Sequence, residues 1–178
     1  IRAHGLEKQR IEEFEKAGCV LIDATCPKVA RIHAVAEDES FKGRHVLIIG
    51  KAFHPEVMGI ASRCQSYTVV CSETELDDFI TKNSGKSISV VCQTTFSIKK
   101  YDQFVNKLKN SCNDILFFDT ICKATELRQK EAERKAAWSD GVIVIGDPKS
   151  SNSNNLYELC GSLCRNSVFI ENAEQLDP

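Results

Sequence analysis

The sequence has no excess of charge of either sign. Its 23 Lys and Arg stand against 25 Asp and Glu, a formal net charge of −2. That leaves no basic footprint for nucleic acid. No apolar run approaches the roughly 20 residues that a membrane helix needs, and no signal-peptide pattern opens the chain. None of the nine cysteines forms a C-x-x-C pair, which removes the spacing of a zinc ribbon or a thioredoxin-type redox motif. The composition, 27% charged and 42% hydrophobic, is not that of a disordered chain. What remains is an ordinary globular sequence of 178 residues, enough for one large or two small domains.

What the sequence does have is an internal repeat. The apolar run 115–118 ends in Asp119-Thr-Ile-Cys122, and 20–22 ends in Asp23-Ala-Thr-Cys26. The two cysteines lie 96 residues apart (122 − 26). The next apolar runs, 45–50 and 141–146, end in glycines that are also 96 apart (146 − 50). Each is followed by a polar stretch, containing His54-Pro-Glu56 in the first copy and Ser150-Ser151-Asn152-Ser153-Asn154 in the second. One α/β unit has been duplicated, with a cysteine at an equivalent point in each copy.

Periodicity and punctuation predict strands at 19–23, 45–49, 67–71, 87–92, 115–118, 142–145 and 168–170. Helices are predicted at 6–17, 27–41, 55–62, 74–80, 98–109, 124–138 and 156–164, with Pro27 in a first turn where its missing N–H costs nothing. Alternation of this kind gives an α/β fold: pseudo-symmetric repeated α/β domains, with parallel sheets flanked by helices. Ligands collect at the carboxyl ends of such strands. Cys26, His54, Glu56, Gln93, Thr94, Cys122, Ser150 and Asn152 all fall at that edge.

A cysteine at the start of a helix sits where negative charge is favoured, and thiolates are what iron–sulfur clusters take as ligands. Cys26 and Cys122 are candidates; two incidental cysteines at capped helix starts are the plainer alternative. The other seven cysteines read as small buried hydrophobes. The Ser/Asn run ahead of a helix suits a phosphate, or is simply a solvated cap. His54 and Glu56 make a workable proton-transfer pair. His4 is a weaker candidate, His33 and His45 read as structural or exposed, and the hydroxyls of Gln93-Thr94-Thr95 are ambiguous alone.

Six motifs occur in order: Ala-His4-Gly, Asp-Ala-Thr-Cys26-Pro, His54-Pro-Glu56-Val, Gln93-Thr94-Thr95, Asp-Thr-Ile-Cys122 with Ala124-Thr125 and Arg128-Gln129, and Ser150-Ser151-Asn152-Ser153-Asn154. Together they resemble the LytB family, the 4-hydroxy-3-methylbut-2-enyl diphosphate reductases of the non-mevalonate (MEP) isoprenoid pathway. The resemblance implies a cytoplasmic iron–sulfur oxidoreductase of three pseudo-symmetric domains. It implies a [4Fe–4S] cluster on three cysteines, of which Cys26 and Cys122 would be two. Glu56 would be the proton donor, with His54 and Thr94 beside the substrate hydroxyl. His4, Ser150, Ser151 and Asn152 would hold the diphosphate. The products would be isopentenyl and dimethylallyl diphosphate, and the electron donor a ferredoxin or flavodoxin, with no nucleic-acid or membrane partner.

The sequence also departs from the family. A first cluster cysteine, a further diphosphate-binding histidine and a Gly-Ala-Ser-type serine loop are absent. The expectation is therefore a central portion of the enzyme, inactive alone: residues 1–26 from an incomplete first domain, 27–114 the second, and 115–178 a truncated third. The alternatives are a cluster-less diphosphate-binding α/β module, or an unrelated α/β enzyme using Cys26 or Cys122 as a nucleophile.

Overall fold

The computed structural model describes residues 1–83 and 85–176. The chain forms two compact units, Ile1–Thr94 with Lys100–Thr120, and Thr95–Lys99 with Ile121–Pro178.

In the first unit, β1 (His45–Ile49), β2 (Tyr67–Val70), β3 (Ile88–Cys92) and β4 (Ile115–Phe117) form an all-parallel sheet in the order β2-β1-β3-β4. Leu47 lies between Thr68 and Val90, and Val90 lies beside Phe117. The central strands β1 and β3 are buried along their whole length. That is why they read as near-continuous apolar runs, interrupted only by His45 and Ser89, not as alternating ones. Against the sheet lie helices α2 (Pro27–Phe41) and α3 (Pro55–Ala61). Ile32 and Ala36 of α2 and Val57 and Ile60 of α3 meet Val46, Ile48 and Val91 in one core. Helix α1 (Lys8–Lys16) precedes these elements; α4 (Glu73–Asn83) and α5 (Ile98–Ser111) complete the set.

A polar lock ties the amino-terminal edge of this sheet. The buried Ser89 hydroxyl donates to Glu39 Oε2 at 2.6 Å and accepts from Arg44 Nε at 2.8 Å. Arg44 also donates to the Ile88 carbonyl (2.6 Å) and to Asp114 Oδ1 (2.9 Å). Burial opposes ionisation of Glu39, but hydrogen bonds from Lys42 and Ser89 hold its carboxyl below the usual carboxylate range. Arg44→Met removes three of these bonds beside a buried carboxylate. The expected cost is about 3 kcal/mol, read as a lower urea midpoint. Arg44→Lys should recover only part of it, because an ammonium has no fork to span Ser89, Ile88 and Asp114.

In the second unit, β5 (Val142–Ile145) and β6 (Ser167–Ile170) pair in parallel, Val144 beside Phe169. Helices α6 (Lys123–Ala136) and α7 (Ser151–Leu163) pack on each other, and α7 contacts both strands. Ala136, Cys160 and Cys164 form a small core with Ala132, Val142 and Val144.

The structure corrects the sequence reading in several places. Residues 19–23, expected as a buried strand, form none. Val20 and Ile22 are 93% and 81% exposed, because no strand among the described residues pairs with them. Helix α1 is shorter than the expected 6–17 and buries no residue. The last long helix begins at Ser151, not at 156. Strand β4 joins the first unit's sheet through β3. Among the seven cysteines expected to be buried, Cys19 is exposed and Cys64 and Cys71 are half-buried, while Cys92, Cys112, Cys160 and Cys164 are buried. His45 is structural: its ring nitrogens meet Ser66 and Thr68 hydroxyls at 2.7 and 2.9 Å.

The duplication survives in the helix starts. Cys26 and Cys122 stand at the residue before α2 and α6 without a side-chain cap, while His54 caps α3 and Ser150 caps α7, and each pair is 96 residues apart (122 − 26 and 150 − 54). No helix among the described residues is long and apolar enough to cross a membrane.

Candidate active site

Strands β1 and β3 deliver their carboxyl ends side by side, Ile49 opposite Cys92. The chain leaves β1 through Gly50 and enters α3 at His54-Pro55-Glu56. Pro55 presets the first helical turn. It leaves β3 through Gln93-Thr94, whose neighbouring Gln93 accepts the Lys51 N–H on its side-chain oxygen at 3.1 Å. These two exits meet. The Glu56 carboxylate is only 1% exposed. It accepts the Thr94 backbone N–H on Oε1 at 2.6 Å and the Thr94 hydroxyl on Oε2 at 2.8 Å.

Burial pushes the Glu56 carboxyl up from its ordinary value, outweighing the Thr94 hydrogen bonds and the positive influence of His4, which pull it down. A carboxyl so placed keeps its proton to higher pH than an exposed glutamate, as a proton donor requires. His54 is one residue from the same turn. Its Nδ1 accepts the Glu56 N–H at 3.2 Å, capping α3. Burial, with His4 and Lys51 adding to it, lowers His54 to about 4. The ring is therefore neutral at pH 7, and with Nδ1 accepting, the proton sits on Nε2. His54 is thus a fixed donor. The His4 ring meets it edge-on, centroids 5.4 Å apart at 80°. His4 and Pro55 help line a cleft of about 470 Å³ with Ile1, Arg2, Gly5 and Leu6.

Cys26 belongs to this group through its backbone: its N–H donates to the Ala3 carbonyl at 3.0 Å, next to His4. The preceding turn is closed by Thr25, whose N–H and hydroxyl donate to Asp23 Oδ1 at 2.9 and 2.5 Å. Within the first unit the structure therefore gathers His4, Cys26, His54, Glu56, Gln93 and Thr94.

The second unit holds the other candidates. Cys122 heads α6. Ser150 caps α7, accepting the Ser153 N–H at 3.3 Å. Ser151 and Asn152 lie in the first turn behind it, Ser151 buried, and the Asn152 Oδ1 is buried with no hydrogen-bond partner. The start of a helix of 13 residues concentrates unpaired backbone N–H groups, which attract anions.

Two further polar residues build this unit. Gln129, 5% exposed, accepts the Ile98 N–H and donates to the Phe96 carbonyl, both at 3.0 Å. The Asn155 amide donates to the Thr95 carbonyl at 2.5 Å. Together they fix the segment Thr95–Lys99. Neither role was expected, though Asn155 ends the same polar run and sits one helical turn beyond Ser151.

Residues 1–178 match the LytB protein family. The chain belongs to the LytB family. Among its LytB relatives, the 4-hydroxy-3-methylbut-2-enyl diphosphate reductase of Clostridium tetani is 38% identical over 177 residues, covering 99% of this chain and 27% of that protein. The reductase of Campylobacter concisus is 36% identical, covering 99% of this chain and 64% of that protein. Among solved structures, the E-1-hydroxy-2-methyl-but-2-enyl-4-diphosphate reductase from Plasmodium falciparum superposes with a TM-score of 0.90 at 29% identity, covering 98% of this chain and 56% of that one. A structure of (E)-4-hydroxy-3-methyl-but-2-enyl diphosphate reductase, described as the terminal enzyme of the non-mevalonate pathway, gives 0.67 at 31% identity over all of this chain and 64% of that one. The LytB chain thus spans about a quarter to two thirds of the length of these relatives.

A LytB chain is expected to hold an iron–sulfur cluster, and its residues fit one in part. Cys26 and Cys122 are free, half-buried and at helix starts, and neither side chain is used in capping. Type and placement suit cluster ligands. The two belong to separate units. Among the described residues, no group of three or more His, Cys, Asp and Glu side chains could hold a metal ion.

Proposed function

We propose that this chain carries the substrate-handling residues of a 4-hydroxy-3-methylbut-2-enyl diphosphate reductase. In that reaction the substrate's C–O bond breaks, two electrons and two protons enter, and water leaves, yielding isopentenyl and dimethylallyl diphosphate. The observation that carries the proposal is the buried Glu56–Thr94 pair beside the neutral His54.

Glu56 is the proton donor. Its raised proton affinity keeps a proton available, and the two hydrogen bonds it accepts from Thr94 fix the orientation of the carboxyl group. The Thr94 hydroxyl and the His54 Nε2–H hold the substrate hydroxyl as it becomes a leaving group. His4, Ser150, Ser151 and Asn152 bind the diphosphate, helped by the N–H groups opening α7. Cys26 and Cys122 are two of the thiolates of a [4Fe–4S] cluster, which when bound supplies the electrons and a Lewis-acidic iron. A ferredoxin or flavodoxin of the cytoplasm is the electron source.

The test is iron and acid-labile sulfide per chain after anaerobic reconstitution of the intact protein, alongside turnover of the diphosphate substrate. The expected result is near-equal iron and sulfide with measurable turnover, both lost in Cys26→Ala and in Cys122→Ala. Iron unchanged by both substitutions overturns the ligand assignment. Diphosphate binding with no iron in any form leaves the cluster-less binding module in its place.

A further inference from the structure

His33 lies on α2, outside the set just described, and no chemistry has been given to it. Its side chain is nonetheless placed as if it had a task. The residue is 6% exposed, and its Nε2 is buried with no hydrogen-bond partner. Burial, with Arg63 beside it, lowers it to about 4, so the ring is neutral at pH 7. A buried imidazole that forgoes a hydrogen bond is costly to keep for polarity alone. Its shape is what the surroundings use.

Two glycines pack against the ring. A Cβ at Gly5 would lie 2.5 Å from Cε1 and 3.2 Å from Nε2; one at Gly59 would lie 3.1 Å from Nε2 and 3.4 Å from Cε1. The same edge of the imidazole therefore packs closely against both the Gly5 and the Gly59 backbones. Gly5 follows His4 and has φ +76°, a conformation that β-carbon-bearing residues rarely adopt. Gly59 lies in α3, the helix that His54 caps. The ring packs against both the segment bearing His4 and the helix bearing His54, at the point where the two meet: a Cβ at Gly59 would also lie 3.6 Å from the Leu6 carbonyl oxygen.

The surrounding hydrogen bonds hold that segment against the ring. Arg63 Nη1 donates to the Leu6 carbonyl at 3.1 Å and also to the Gly59 carbonyl. The Lys8 N–H donates to the Ser62 hydroxyl at 3.0 Å. On the other side Ala24 and Cys26 donate to the Ile1 and Ala3 carbonyls, each at 3.0 Å. His4 itself is exposed and makes a ring contact with His54. Its position is set by its neighbours, not by its own side chain.

We infer that His33 is a positioning residue for the His4–His54 pair, its imidazole acting as a rigid packing platform for both the Gly5 turn and the Gly59 turn of α3. It thereby sets how the two rings present donors to a phosphate-bearing ligand, an assignment that rests on the function proposed above. Displacing a binding group by about 1 Å is enough to cost orders of magnitude, and the loss of the ring leaves room for such a shift.

The experiment compares the intact protein with His33→Ala, His33→Phe and His4→Ala, by two readouts. One is calorimetric binding of inorganic diphosphate and of the allylic diphosphate substrate. The other is the proton NMR contact between the His4 and His54 rings in the ligand-free protein. His33→Ala should weaken binding about tenfold, the scale of one charge-assisted hydrogen bond, and should lose the ring–ring contact. His33→Phe refills the space without a ring nitrogen and should restore both. A spectrum showing His33→Ala folded, with contact and binding unchanged, overturns the inference. So does a His33→Phe protein that is folded yet behaves like His33→Ala. If the unsubstituted protein binds neither diphosphate, the functional reading fails by itself. The ring contact then decides the positioning role: lost in His33→Ala and regained in His33→Phe supports it, and any other pattern overturns it.

Discussion

Glu56→Gln is expected to lower turnover of the diphosphate substrate by about 100- to 10,000-fold, the usual weight of a positioned proton donor, with little change in KM. The substitution is nearly isosteric. A glutamine oxygen can still accept the Thr94 backbone N–H at the position of Oε1, and its amide nitrogen can donate to the Thr94 hydroxyl oxygen. The shell is therefore kept and only the proton is lost. Thr94→Val should act differently. It leaves one carboxylate oxygen buried without its donor, which raises the proton affinity of Glu56 further.

The pH profile of the unsubstituted enzyme carries the same signature. As the proposed proton donor, Glu56 has to be protonated, so turnover should fall as pH rises through its folded-state value, which burial places above the ordinary 4.5. Thr94→Val should move that fall to higher pH. A Glu56→Gln protein with full turnover would sink the assignment.

Acid should destabilise the first unit well before carboxylates are protonated in bulk. His33 and His54 are both lowered from 6.5 to about 4. Each contributes stability that is fully present above 6.5. It is lost as pH falls toward 4, because the unfolded chain takes up protons that the folded chain refuses. After discounting His54, the more solvated of the two, the loss is on the order of 3 kcal/mol by pH 4. Glu56 acts in the opposite sense, since its raised value favours the folded state at low pH and weakens it as pH rises above 4.5. Urea unfolding at pH 7, 6, 5 and 4 should therefore show falling midpoints, and His33→Phe should flatten part of the slope. Midpoints constant between pH 7 and 5, in both proteins, would contradict the buried neutral state of these rings.

Much of this was legible in the residues because local signals agreed with the fold. His45–Ile49 and Val142–Ile145 end in glycine and are strands with the expected bounds. Pro27 marked the start of α2 to the residue. His54-Pro-Glu56 and Gln93-Thr94 stood at strand ends, and parallel pairing of β1 with β3 is what brings the Glu56 and Thr94 side chains together.

The failures have physical causes. Ser and Asn are weak helix formers, so the run 150–154 read as loop, yet a capping hydroxyl and a buried face carry the helix through it. The repeat held the missing signal, since 54 + 96 is 150. Residues 20–22 have the apolar content of a strand, but a strand exists only where a neighbour offers backbone partners. The role of His33 had no sequence signature at all. It depends on two glycines distant in the chain, Gly5 and Gly59, packing against one edge of the same ring.

The lock formed by Glu39, Ser89 and Arg44 sits at one rim of the sheet, and His54, Glu56 and Thr94 sit at the other. The hydrogen bonds that tie the strands at the first rim are thus carried by residues other than those of the candidate site. A substitution at the carboxyl rim can alter the candidate site while the hydrogen bonds that secure the strands at the other rim stay as they were.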